Sequence, residues 1–170
     1  MKTLILIALA CLLVGCAKAP TANSPATNAA EPPPIKSTDV VKATPQSLTL
    51  AAGESGDALV AIQITNGYHV NANPPTFSYL KATELQITPA DGISVEFMTY
   101  PNAVTRKFSF AEKPLAVYEG ETILKARLKA DKSAKPGSHN LSAKLRVQAC
   151  DDSVCYAPGA LDVTVPVNIK

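Results

Sequence analysis

From about Thr44 to its end, this chain repeats apolar side chains at every second position. Val60, Ile62 and Ile64 alternate with Ala61, Gln63 and Thr65, and Ile93, Val95 and Phe97 alternate with Ser94, Glu96 and Met98. Leu124, Ala126 and Leu128 follow the same rule, as do Leu141 to Val147 and Leu161 to Ile169. A period of two puts one set of side chains on each face of an extended strand. Such a strand must bury its apolar face against another layer, while its other face stays wet, as in antiparallel sheets. Turn pairs fall between these runs: Asn66-Gly67, Asn73-Pro74-Pro75, Asp91-Gly92, Glu119-Gly120 and Pro136-Gly137. Short strands at this spacing predict an all-β antiparallel sandwich of about 125 residues, placed at 46–170. No long segment has the helical period, so a thioredoxin fold is not expected. Pro166 sits on the polar face of the last run and predicts an edge position or a bulge there.

The first 45 residues read differently. Met1-Lys2-Thr3 precedes an unbroken apolar run from Leu4 to Val14, the layout of a secretory signal peptide. That run falls short of the roughly 20 residues a membrane-spanning helix needs. Its end, Leu13-Val14-Gly15-Cys16, resembles the bacterial lipobox, which implies cleavage after residue 15 and lipid on Cys16. Stable membrane attachment takes more than one acyl chain. Residues 16–45, with Pro32-Pro33-Pro34 and many Ala, Thr, Ser and Asn, lack the large apolar side chains that offset ordering entropy. They are expected to be a disordered spacer, stiffened at the triple proline.

Charge narrows the partners. Sixteen Lys and Arg stand against 14 Asp and Glu, with no basic stripe, so a nucleic-acid partner is not expected. Of the four cysteines, Cys11 leaves with the signal peptide and Cys16 is the lipid site. The remaining pair, Cys150 and Cys155, lies in Gln148-Ala149-Cys150-Asp151-Asp152-Ser153-Val154-Cys155-Tyr156.

A hairpin connection brings residues at this spacing close enough to bridge, and an exported compartment permits the bond. Three uses are open. A structural staple is one, although closing about six residues contributes only about 2 kcal/mol in the chain-entropy account. Metal binding with His69 or His139 is another, but the spacing is not that of a zinc knuckle and no metal or other cofactor is expected. Thiol–disulfide exchange is the third. If the alternation of Leu141 to Val147 continues, Cys150 faces outward, and exchange requires access. Asp151 and Asp152 beside it would disfavour a thiolate or simply favour the turn.

The segment from Gln148 to Pro158, closing an all-β exported domain, resembles the amino-terminal periplasmic domain of the thiol:disulfide interchange protein DsbD. Asn66 to Pro75 and Val117-Tyr118-Glu119-Gly120 fit the same family. The resemblance covers about residues 45–170 and departs from the family at Ala157-Pro158, where two prolines are common. It implies an immunoglobulin-like fold and a redox role for Cys150 and Cys155, with Cys155 facing the partner. It also implies that aromatic side chains shield the pair, the candidates being Phe108, Phe110 and Tyr156. The implied partners are exported thioredoxin-like proteins and a membrane relay of the DsbD type. In that family the chain continues into the relay, whereas this sequence ends at Lys170. A detached, lipid-anchored module on the periplasmic side is therefore expected, on the outer rather than the inner membrane. The alternative is a non-catalytic immunoglobulin-like lipoprotein, a binding or assembly module with a structural disulfide.

Overall fold

The computed structural model describes residues 34–170. The expected signal peptide, Cys16 and most of the expected spacer lie outside them. Twelve strands and no helix make up the described residues: β1 (Val41–Pro45), β2 (Leu48–Leu50), β3 (Ser55–Ile64), β4 (His69–Asn71), β5 (Glu84–Ile87), β6 (Ile93–Thr99), β7 (Val104–Arg106), β8 (Leu115–Tyr118), β9 (Glu121–Ala130), β10 (Gly137–Val147), β11 (Ala149–Cys150) and β12 (Gly159–Ile169).

Two four-stranded sheets carry the sandwich, ordered β1-β3-β9-β6 and β2-β12-β10-β5. Their inward residues are those that the alternation selects. Val60, Ile62, Leu124, Leu128, Leu141, Leu145 and Val165 have no exposed surface at all. The long pairings are antiparallel, β3 with β9 and β10 with β12, and only the short β2 joins β12 in parallel. This is the expected immunoglobulin-like all-β architecture. A third, smaller sheet, β11-β4-β8-β7, carries the cysteine segment.

Two expectations change. The spacer was expected to run to residue 45, but Val41–Pro45 is β1, paired with β3 along its whole length. Its side chains are too mixed to announce a strand, and Val41 and its neighbour Val40 supply the burial. Phe97 was expected inside and is instead 58% exposed. The register between β6 and β9 slips between Val95 and Phe97, so the bulge advances the phase by one. Met98 packs against the core in its place. Pro166, expected at an edge or a bulge, lies where β12 pairs only with β10, one residue before the pairing to β2 begins at Val167. Its missing N–H can face that open side.

Candidate functional site around the Cys150–Cys155 hairpin

The route of the chain after β10 decides which cysteine is accessible. Val147 is the last residue paired in the sandwich sheet, and at Ala149 the chain transfers to β4 in the small sheet. The alternation holds through Gln148 and Ala149 and breaks at Cys150. Cys150, expected to face outward, is fully buried, and Cys155 is the half-exposed member. The two form a disulfide across a tight hairpin, with their Cα atoms 3.9 Å apart.

The hairpin is held independently of the sulfur bond. Tyr156 N–H donates to the Ala149 carbonyl at 2.8 Å, and Asp151 N–H donates to the Val154 carbonyl at 3.0 Å. The Asp151 carboxylate accepts from the backbone N–H groups of Ser153 (2.7 Å) and Val154 (2.8 Å), a turn geometry that Asp favours. It also accepts from the Tyr156 hydroxyl at 2.6 Å. That hydroxyl and the two N–H groups hold the Asp151 carboxyl below its ordinary range. The same carboxylate pushes the Tyr156 phenol up to about 12. Asp151 thus acts on the turn.

Residues distant in sequence pin both flanks. Ser37 Oγ donates to the Ala157 carbonyl at 2.7 Å and accepts from Ala149 N–H at 2.9 Å, bridging the two sides of the hairpin. Gln148 Oε1 accepts from Lys81 N–H (2.8 Å) and from Asn71 Nδ2 (3.1 Å). Ser37 lies inside the stretch expected to be spacer, and no periodicity marks it.

The three aromatic candidates separate in space. Phe110 is 40% exposed and lines, with Cys155, an open cleft of about 540 Å³ that Phe77, Tyr79, Leu80 and Leu115 complete. Phe108 is buried in a small core with Leu115 and Val117, its ring stacked 5.4 Å from Phe110 and 4.0 Å from His69. Tyr156 does not line the cleft; it closes the hairpin and packs 6.1 Å from Tyr68. The loop bearing Phe108 and Phe110 touches the hairpin through Ser109 Oγ, which donates to the Asp152 carbonyl at 3.1 Å. Because Phe110 is anchored so lightly, Phe110→Ala is expected to leave stability within about 0.5 kcal/mol. It should raise the rate at which dithiothreitol reduces the pair. An unchanged rate in a stopped-flow assay would remove Phe110 from any shielding role.

Residues 37–166 match the family described as thiol:disulfide interchange protein DsbD, N-terminal. The chain belongs to the DsbD N-terminal family. Its family-level chemistry is thiol–disulfide interchange, and the disulfide found here fits it. Among solved structures, the chain is similar to the DsbD N-terminal domain of Neisseria meningitidis in its reduced form. The two are 18% identical over 69% of this chain and 82% of that one, with a TM-score of 0.45. It is also similar to the N-terminal periplasmic domain of ScsB from Proteus mirabilis, at 18% identity over 75% of this chain and 45% of that one, with a TM-score of 0.49. None of the curated proteins matches the chain.

His69 is the site residue that sequence reading underrated. It was weighed only as a metal ligand, yet it is 3% exposed and stands directly opposite Cys150 in the β4–β11 ladder. His139, the other histidine, lies elsewhere, against Asp91 and the Lys135 carbonyl. Among the described residues, no group of three or more His, Cys, Asp or Glu is arranged to hold a metal ion. The only sequence signal for His69 was its place in the Asn66 to Pro75 segment that fits the family, because three buried residues in a row show no alternation.

Proposed function

We propose that this DsbD N-terminal-like domain is a periplasmic exchange module in which Cys155 meets the partner and Cys150 resolves the mixed disulfide. One observation carries the reading: the pair is asymmetric, with one sulfur sealed in the fold and the other opening on an aromatic cleft. A staple has no need of that asymmetry, and the hairpin already has its own hydrogen bonds. Exchange does need it, because attack must fall on one chosen sulfur and requires access.

The cleft also fits the partner class. Tyr79, Val154 and Phe110 are exposed apolar side chains around Cys155, and such a patch favours a protein surface over a small polar thiol. The partners in this reading are exported thioredoxin-like proteins on one side and a DsbD-type membrane relay on the other. Lipid on Cys16, at the outer membrane, would keep the module at the membrane surface on its spacer. The expected sequence of events has the relay reduce the pair and the resulting dithiol reduce the exported protein.

The reduction potential of Cys150–Cys155 tests the reading. A working exchange pair should lie above about −300 mV, and a structural bond should lie below it. Equilibration against dithiothreitol buffers with alkylation of free thiols measures it. A value well below that line would return the pair to a structural role.

A further inference from the structure

Resting on the exchange function proposed above, we infer that His69 takes the Cys150 thiol proton when Cys150 attacks to resolve the mixed disulfide. Three observations carry this. His69 and Cys150 are opposed residues in an antiparallel ladder, where side chains share a face and Cβ atoms lie about 4.5–5.5 Å apart. The imidazole is buried and stacked on Phe108, so its plane is fixed. Its Nε2 is buried without any hydrogen-bond partner.

An unpartnered buried polar atom costs about 1–3 kcal/mol, and an apolar residue between Tyr68 and Val70 would avoid that cost. The oxidised pair explains the missing partner, since a disulfide has no hydrogen to donate. In the dithiol form Cys150, opposite His69 in the ladder, carries an S–H that can donate, and a neutral imidazole with its proton on Nδ1 offers Nε2 as acceptor. Burial lowers the His69 pKa, opposed by the carboxylates of Glu119, Asp152 and Asp151 and assisted by Arg106. The ring is therefore neutral, and able to accept, at neutral pH. The His69 ring also lines a second cleft, of about 570 Å³, with Glu119, Arg106, Lys107 and Asp152.

The chemistry balances as follows. The Cys155 thiolate attacks a partner disulfide, a Cys155–partner bond forms, and the partner's second sulfur leaves as thiolate and takes a proton from water. The Cys150 proton then moves to His69 Nε2 as the Cys150 sulfur attacks Cys155. The Cys150–Cys155 bond forms, the Cys155–partner bond breaks, and the departing thiolate is protonated by the imidazolium through solvent. Two electrons have passed from the dithiol to the partner disulfide.

Oxidation of the reduced protein by glutathione disulfide, with acid quench and mass spectrometry, resolves the two steps. His69→Phe keeps a ring for Phe108 to stack on but cannot accept a proton. At pH 7 its glutathione adduct on Cys155 should accumulate, with closure slowed about 10²-fold. The gap should narrow towards pH 9, above the ordinary thiol pKa of about 8.5. Equal closure rates with unchanged pH profiles would overturn the inference and leave the exchange function standing. If glutathione disulfide fails to oxidise the wild-type dithiol at all, the exchange function falls and the inference falls with it. Should His69→Phe not fold, proton NMR of the wild-type His69 ring decides. Its titration should shift between the oxidised and reduced proteins, and identical titrations would overturn the inference.

Discussion

Cys150→Ser is expected to capture exported thioredoxin-like proteins as stable mixed disulfides, and Cys155→Ser is expected to capture none. The difference follows from where the chain places the two sulfurs. Removing Cys150 leaves Cys155 on the cleft beside Phe110, with nothing to resolve a bond it forms. Removing Cys155 leaves a thiol with no exposed surface. That thiol reacts only when the small sheet opens, and an opening free energy of about 3 kcal/mol slows reaction about 10²-fold. Ellman's reagent gives a partner-free measurement on the two purified variants. The Cys150→Ser thiol should react at least that much faster. Equal rates, or the reverse order, would show that the buried sulfur is not protected and would undo the assignment of roles.

The second large effect concerns the scaffold. Leu145 is fully buried in β10, paired with Leu161 of β12 on one side and Leu85 of β5 on the other. Leu145→Ala removes three carbon atoms from the closed centre of a sheet held on both edges, where relaxation is hard. It is expected to cost about 2–5 kcal/mol. In urea denaturation this appears as a lower midpoint with an unchanged slope. Ile123→Ala, on the half-exposed face of β9, should stay within about 0.5 kcal/mol. A cost below about 1 kcal/mol for Leu145→Ala would mean that the core collapses around the gap.

The five long strands were legible because each is seven or more residues of half-buried sheet, and a half-buried strand writes its faces into the sequence. The short strands were not. β4 is buried along its whole length, so His69, Val70 and Asn71 show no alternation. β7 is exposed along its whole length and shows none either. Phe97 shows the other limit: the pattern marked its strand, but one bulge moved its side chain from core to solvent. The candidate site was half legible. The spacing of Cys150 and Cys155 announced a hairpin bond, and the structure contains it. On accessibility the alternation pointed to Cys150 and the resemblance to Cys155; the alternation failed because accessibility depends on the change of sheet after Val147, and a change of pairing partner leaves no local mark. His69 reaches Cys150 only through that same pairing.

The Ser37 bridge has a consequence for how such chains can vary. Because its hydroxyl links Ala149 to Ala157, the segment entering the domain is in register with the hairpin that leaves β10. Insertions or deletions before Lys36 leave that register untouched. A single residue gained or lost between Ser37 and Val41 would have to displace either the bridge or the whole of β1. Length tolerance therefore ends at the hydroxyl of a serine, nine residues before the expected start of the sandwich at residue 46.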